Sequence, residues 1–109
     1  MAYDEKLAER IRTALRRRRG ISEKKMFGGV AFLANGNMTC GVVGDELMVR
    51  VGPDAYAEAL SRKHAREMDF TGRPMRGMVY VAKPGTRTAR QLESWVERGL
   101  AFAKTLPKR

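Results

Sequence analysis

An α+β fold is predicted, with an antiparallel sheet carrying helices packed on one face in the order α-β(3)-α-β(2)-α. Three observations predict it. Both ends of the chain carry a helical period of apolar residues, and the middle carries two hairpin turns in quick succession. A second, shorter pair of strand-like runs follows a helix start at Gly52-Pro53-Asp54.

The first helix is expected over 4–19. Tyr3, Leu7, Ile11 and Leu15 recur every four residues beside Ala8 and Ala14, Asp4, Glu5 and Glu9 occupy the first turns, and Gly20 ends the run. Arg16, Arg17, Arg18 and Arg19 then fall in its last turn. Cations there face the negative end of the helix dipole, an effect of about 0.3 kcal/mol or more each, so the four arginines have a structural explanation before any functional one.

Asn35-Gly36 supplies the positive φ angles of a type I′ turn, and Gly44-Asp45 fits a type II′ turn, between runs rich in Val, Phe, Leu and Met. Strands are therefore expected at 26–34, 37–43 and 46–51. With two-residue loops, Leu33 faces Met38, Ala31 faces Cys40 and Val49, and Gly29 faces Val42 and Leu47, all on the core side. The opposite face then carries Val30, Phe32, Thr39, Gly41, Val43, Glu46, Met48 and Arg50, and is only half polar.

Pro53 at the first helical position opens a short helix over 55–61. Two further strands are expected at 66–70 and 76–82, on either side of the turn Thr71-Gly72-Arg73-Pro74. After the break at Lys83-Pro84-Gly85, Thr88 and Gln91 have capping-box spacing, and Leu92, Trp95, Val96, Gly99, Leu100, Ala103 and Leu106 trace one face of a long final helix.

Composition narrows the function classes. The 109 residues suit one domain spanning 1–109, with 43% hydrophobic and 31% charged residues and a net charge of +10. The excess is uneven: residues 1–25 carry +5, 26–61 carry −3, 62–90 carry +6 and 91–109 carry +2. Such blocks suit a surface that meets phosphates or an acidic partner, although Arg outnumbers Lys 15 to 7 and a compositional bias would have the same effect. A single Cys, a single His and no paired spacing argue against a metal or cofactor site and against a disulfide. With no apolar leader and no apolar run long enough to span a bilayer, a cytoplasmic protein without membrane contact is expected.

Nothing in the sequence assembles a catalytic constellation, so a non-enzyme is expected. Cys40 falls on the core face, where thiols are buried and unreactive, and His64 follows Arg62-Lys63 in a surface connection. Gly28-Gly29 precedes a strand rather than a helix, which suits close packing rather than a phosphate loop. Arg73 and Arg76 flank a rigid Gly-Pro corner and, with Arg16–Arg19, are the candidate contacts for an anion or nucleic acid. Val30, Phe32, Val43 and Met48 are the candidate interface, for a protein partner or for self-association.

Several stretches resemble a known family. Met26-Phe27-Gly28-Gly29-Val30-Ala31-Phe32, Asn35-Gly36-Asn37-Met38 with Gly41, and Leu47-Met48-Val49-Arg50-Val51-Gly52 are similar to the N-terminal domain of the TfoX/Sxy family. Met68-Asp69-Phe70-Thr71-Gly72-Arg73-Pro74-Met75-Arg76-Gly77 and the run from Trp95 to Pro107 fit the same family. The resemblance spans roughly 7–107 and implies a secretion-chaperone-like fold, with no catalytic or cofactor-binding residues to carry over. It also implies a regulatory module in transcription and natural competence, acting with a protein partner. The family's named member has a second, helical C-terminal domain, and this chain is expected to be the first domain alone. Direct nucleic-acid binding by Arg16–Arg19 and the basic residues of 62–90 is the alternative. More distant is a ligand-binding or enzymatic role uniting Cys40 or His64 with Arg73 or Arg76.

Overall fold

The computed structural model describes residues 3–26, 28–69 and 76–108. Helix α1 spans Glu5–Leu15, capped by the Asp4 carboxylate, which accepts from the Lys6 and Leu7 amides at 2.9 and 3.2 Å. It buries Leu7, Ala8, Ile11 and Leu15, and then stops, four residues before the end expected from the sequence. Arg16 is the C-cap, so Arg17, Arg18 and Arg19 lie beyond the helix and the dipole argument does not extend to them.

The chain next forms a strand that the sequence pattern does not announce. Strand β1, Ile21–Met26, pairs with β2, Gly29–Ala34, through a tight hairpin with Gly28 at φ 75°. The single strand expected at 26–34 is thus the second arm of this hairpin, and the order becomes α-β(4)-α-β(2)-α. β1 is an edge strand whose four inner residues, Ser22 to Lys25, are all exposed. Arg12 of α1 holds it by two hydrogen bonds to Glu23, at 2.7 and 2.9 Å.

Strands β3 (Asn37–Val43) and β4 (Glu46–Arg50) follow as expected. Asn35 and Gly36 both have positive φ, 52° and 84°, as a type I′ turn needs, and Gly44 at 60° suits a type II′ turn. Helix α2 (Tyr56–Leu60), strand β5 (Ala65–Glu67), strand β6 (Met78–Val81) and a 3₁₀ turn at Lys83–Thr86 lead into helix α3, Ala89–Ala103. The capping box of α3 is complete: Gln91 N–H donates to Thr88 Oγ1 at 3.1 Å, and Thr88 N–H donates to Gln91 Oε1 at 2.9 Å. The antiparallel sheet runs β1-β2-β3-β4-β6-β5. No helix among the described residues is long and apolar enough to cross a membrane.

A bulge decides which residues the helices cover. Phe32 pairs with Cys40 while Leu33 pairs with Met38, so Thr39 is an extra residue in β3. Its hydroxyl donates to the Phe32 carbonyl at 2.9 Å, and its backbone lies directly under α3. A Cβ on Gly99 would stand 2.3 Å from the Thr39 oxygen, so the helix can approach this closely only with glycine there. The extra residue moves Val30 and Phe32 onto the same side as Cys40, Val42, Leu47 and Val49, where all three helices pack.

Candidate interaction surface

The helix-covered face is one continuous core. Phe32, Val42, Leu47, Val49, Val79 and Val81 from the sheet meet Leu7, Ile11, Trp95, Val96 and Leu100 from the helices. Two of the four residues expected at an interface are therefore in it: Val30 and Phe32 are 4% and 1% exposed. The bulge at Thr39 is the reason, because a one-residue slip exchanges the faces of every residue on one side of it. Cys40 is fully buried in the same core, and burial pushes its thiol up to about 12.

Among the described residues no helix packs on the second face, which divides into two halves. On the β4-β6-β5 side, Met48, Met78 and Tyr80 form a buried cluster with Ala31 and Met68, and the Arg66 guanidinium lies 4.7 Å from the Tyr80 ring centre while pairing with Glu46. On the β1-β2-β3 side, Met26, Leu33, Met38 and Val43 remain only half-buried. Met48 and Val43 thus do lie on the uncovered face, Met48 sealed and Val43 partly open. Methionine is unbranched and polarisable, which lets such a floor adapt to the shape of what packs on it.

A groove of about 650 Å³ opens beside the last turn of α3, with Met26, Leu33 and Met38 of the open half, Met78 at the edge of the buried cluster and Phe102 of α3 among its walls. Lys24, Arg50 and Arg76 line it as well, and no carboxylate does so among the described residues. Arg50 is held over the Phe102 ring, 5.2 Å from its centre. Arg76 is thereby brought to a cationic rim together with Lys24 and Arg50, two residues that sequence reasoning did not single out as contacts. The signal for Lys24 lay in the period-2 pattern of β1, which the charged residues on both of its faces obscure.

The other expected sites are dispersed. Arg18 pairs with Glu97 of α3, whereas Arg16, Arg17 and Arg19 are exposed and make no ion pair among the described residues. Arg73 lies outside the described residues. His64 is exposed in the turn between α2 and β5, while Cys40 is sealed in the sheet, so these two do not share a site.

The fold and the bulge-set division of faces can be placed beside known proteins. No curated protein and no solved structure gives a significant match. The family model for the TfoX N-terminal domain matches residues 13–103. That span runs from within α1 to the end of α3 and takes in the whole sheet, so the chain belongs to the TfoX N-terminal domain family.

Proposed function

We propose that this chain is a non-enzymatic interaction module in transcription regulation, a cytoplasmic domain that docks a protein partner, or a second copy of itself, through the open half of its second sheet face. The observation that carries this reading is the Met-floored groove with its cationic rim. Met26, Leu33 and Met38 line it and are only part-buried, with Val43 part-buried on the same face, and among the described residues no helix packs over them. Family membership supports the regulatory role, including one in natural competence.

The competing reading is direct contact with nucleic acid. It is favoured by the exposed Arg16, Arg17 and Arg19 and by the charge of +6 on residues 62–90. The two are separated by affinity capture from nuclease-treated native cytosol, with wild type and a Leu33→Asp/Met38→Asp variant as paired baits and sedimentation of each protein alone. Docking through the face predicts a species, or a self-associated form, retained by wild type and lost with the variant. A strict monomer that captures the same proteins with or without these two substitutions contradicts it, and steeply salt-dependent DNA binding in its place favours the competitor.

A further inference from the structure

We propose that the cleft between the α2–β5 connection and the first turns of α3 binds a small phosphorylated molecule about the size of a mononucleotide. The cleft has a volume of about 540 Å³, within the roughly 300–1,000 Å³ of small-molecule sites. It shares no lining residue with the groove on the second sheet face, so this site stands independently of the docking surface.

Its walls bring together four cations that are distant in sequence, with His64 beside them. Arg62, Lys63 and His64 come from the connection and face Arg90 and Arg98 of α3, with no carboxylate lining the cleft among the described residues. Glu58, just outside, holds both Arg62 and Arg98 at 2.6 Å and so fixes two guanidinium groups with one charge. Lys63 and Arg90 make no ion pair among the described residues. Four cations against this one carboxylate leave a surplus of +3. That surplus exceeds what one carboxylate ligand would match, and it suits a phosphate, whose several oxygens accept from Arg forks and a Lys together.

Two further observations fit the same ligand. Arg90 occupies the first turn of α3, which contains no acid, although that end of a helix favours negative charge. The placement costs stability in the free protein and becomes favourable with an anion opposite. Because the capping box already engages Thr88 and Gln91, the ligand would be held by side chains rather than by a bare helix end. His64, for its part, is held in the left-handed region at φ 72°, its carbonyl accepting from the Ala82 amide at 3.0 Å. A β-carbon-bearing residue kept there is strained, and such residues concentrate at ligand sites. The Trp95 ring is already covered by Arg98, 5.0 Å from the ring centre, so recognition rests on the phosphate and not on stacking of a base.

The test is calorimetric titration with ADP, inorganic pyrophosphate, adenosine and a short oligothymidylate at about 0.15 M salt, with amide NMR shifts to locate the site. ADP and pyrophosphate are expected to bind and to shift Lys63, His64, Arg90 and Ser94, while adenosine does not bind. Lys63→Gln/Arg90→Gln should weaken ADP by about tenfold or more, and the charge-matched pair Arg16→Gln/Arg17→Gln by no more than about twofold. Arg90→Glu is a second variant whose helix terminus is improved, so loss of ADP binding there cannot be ascribed to unfolding. No binding of ADP at millimolar concentration, equal weakening by the two charge-matched pairs, or binding of the oligonucleotide with ADP inert would each overturn the proposal.

Discussion

Replacing Gly99 by Ala tests the packing that sets the two sheet faces. In an open helix position this change removes backbone freedom from the unfolded chain and stabilises by about 1 kcal/mol. Here the new methyl group would stand 2.3 Å from the Thr39 carbonyl oxygen and 2.9 Å from its carbon, against an ordinary contact of 3.4–4 Å. The obstacle is backbone, fixed in the ladder on either side of the bulge, so α3 must lift by about 1 Å or the bulge must flatten. Overpacking of this kind costs about 1–3 kcal/mol, and a rigid neighbour places it at the upper end. After subtraction of the propensity gain, a net loss of about 2 kcal/mol is expected, or about 9 °C in Tm for a chain of this length. Urea unfolding followed by circular dichroism measures it, with the midpoint falling and the m-value unchanged. A Gly99→Ala protein as stable as wild type, or more so, would refute the contact between α3 and the bulge.

Thr39→Val keeps the shape but leaves the Phe32 carbonyl, freed by the bulge, without its hydroxyl donor inside the core; urea titration should show a loss of about 1–3 kcal/mol. Cys40, with its thiol pushed up to about 12 and no exposed surface, should resist a disulfide reagent at pH 8 in the native protein and react fully in denaturant; rapid native labelling would contradict its burial. The hydrogen bond from Arg12, foremost among its influences, holds the Glu23 carboxyl below its ordinary range. A depressed carboxyl contributes stability that is present above its unfolded pKa and is lost as pH falls through the folded value. Thermal melts should therefore lose stability below about pH 4.5, and Glu23→Gln should show a shallower loss over the same window.

Much of the fold was legible because its signals are local. The Asn35-Gly36 and Gly44-Asp45 turns, the Thr88–Gln91 capping box and the period of α3 each depend on residues within a few positions of one another. The extent of α1 was less legible, because four arginines are good helix formers whose helix nevertheless stops at Leu15. Strand β1 escaped because Ser22, Glu23, Lys24 and Lys25 present polar side chains to both faces of an edge position, which erases the alternation that marks a strand.

The candidate surface was harder to read than the fold, and the bulge is the cause. One extra residue at Thr39 exchanged Val30 and Phe32 for Leu33 and Met38 on the open face. Both registers make one side of the sheet apolar; the faint signal was that only the bulged one sets the larger Val30 and Phe32, rather than Gly29 and Ala31, beside Cys40, Val42, Leu47 and Val49. The cationic cleft offered no comparable signal. Lys63 and Arg90 are brought together by the β5-β6 pairing and the 3₁₀ turn at Lys83–Thr86, neither of which the spacing of charges reveals.

The methionines report on the docking face directly. Solvent paramagnetic relaxation of methionine methyl groups should, in the free protein, strongly affect Met26 and Met38 on the open half and spare Met48 and Met68 in the sealed half. In the assembly isolated by capture, Met26 and Met38 are expected to become as protected as these two. Undiminished accessibility of Met26 and Met38 in that assembly would contradict docking through this face.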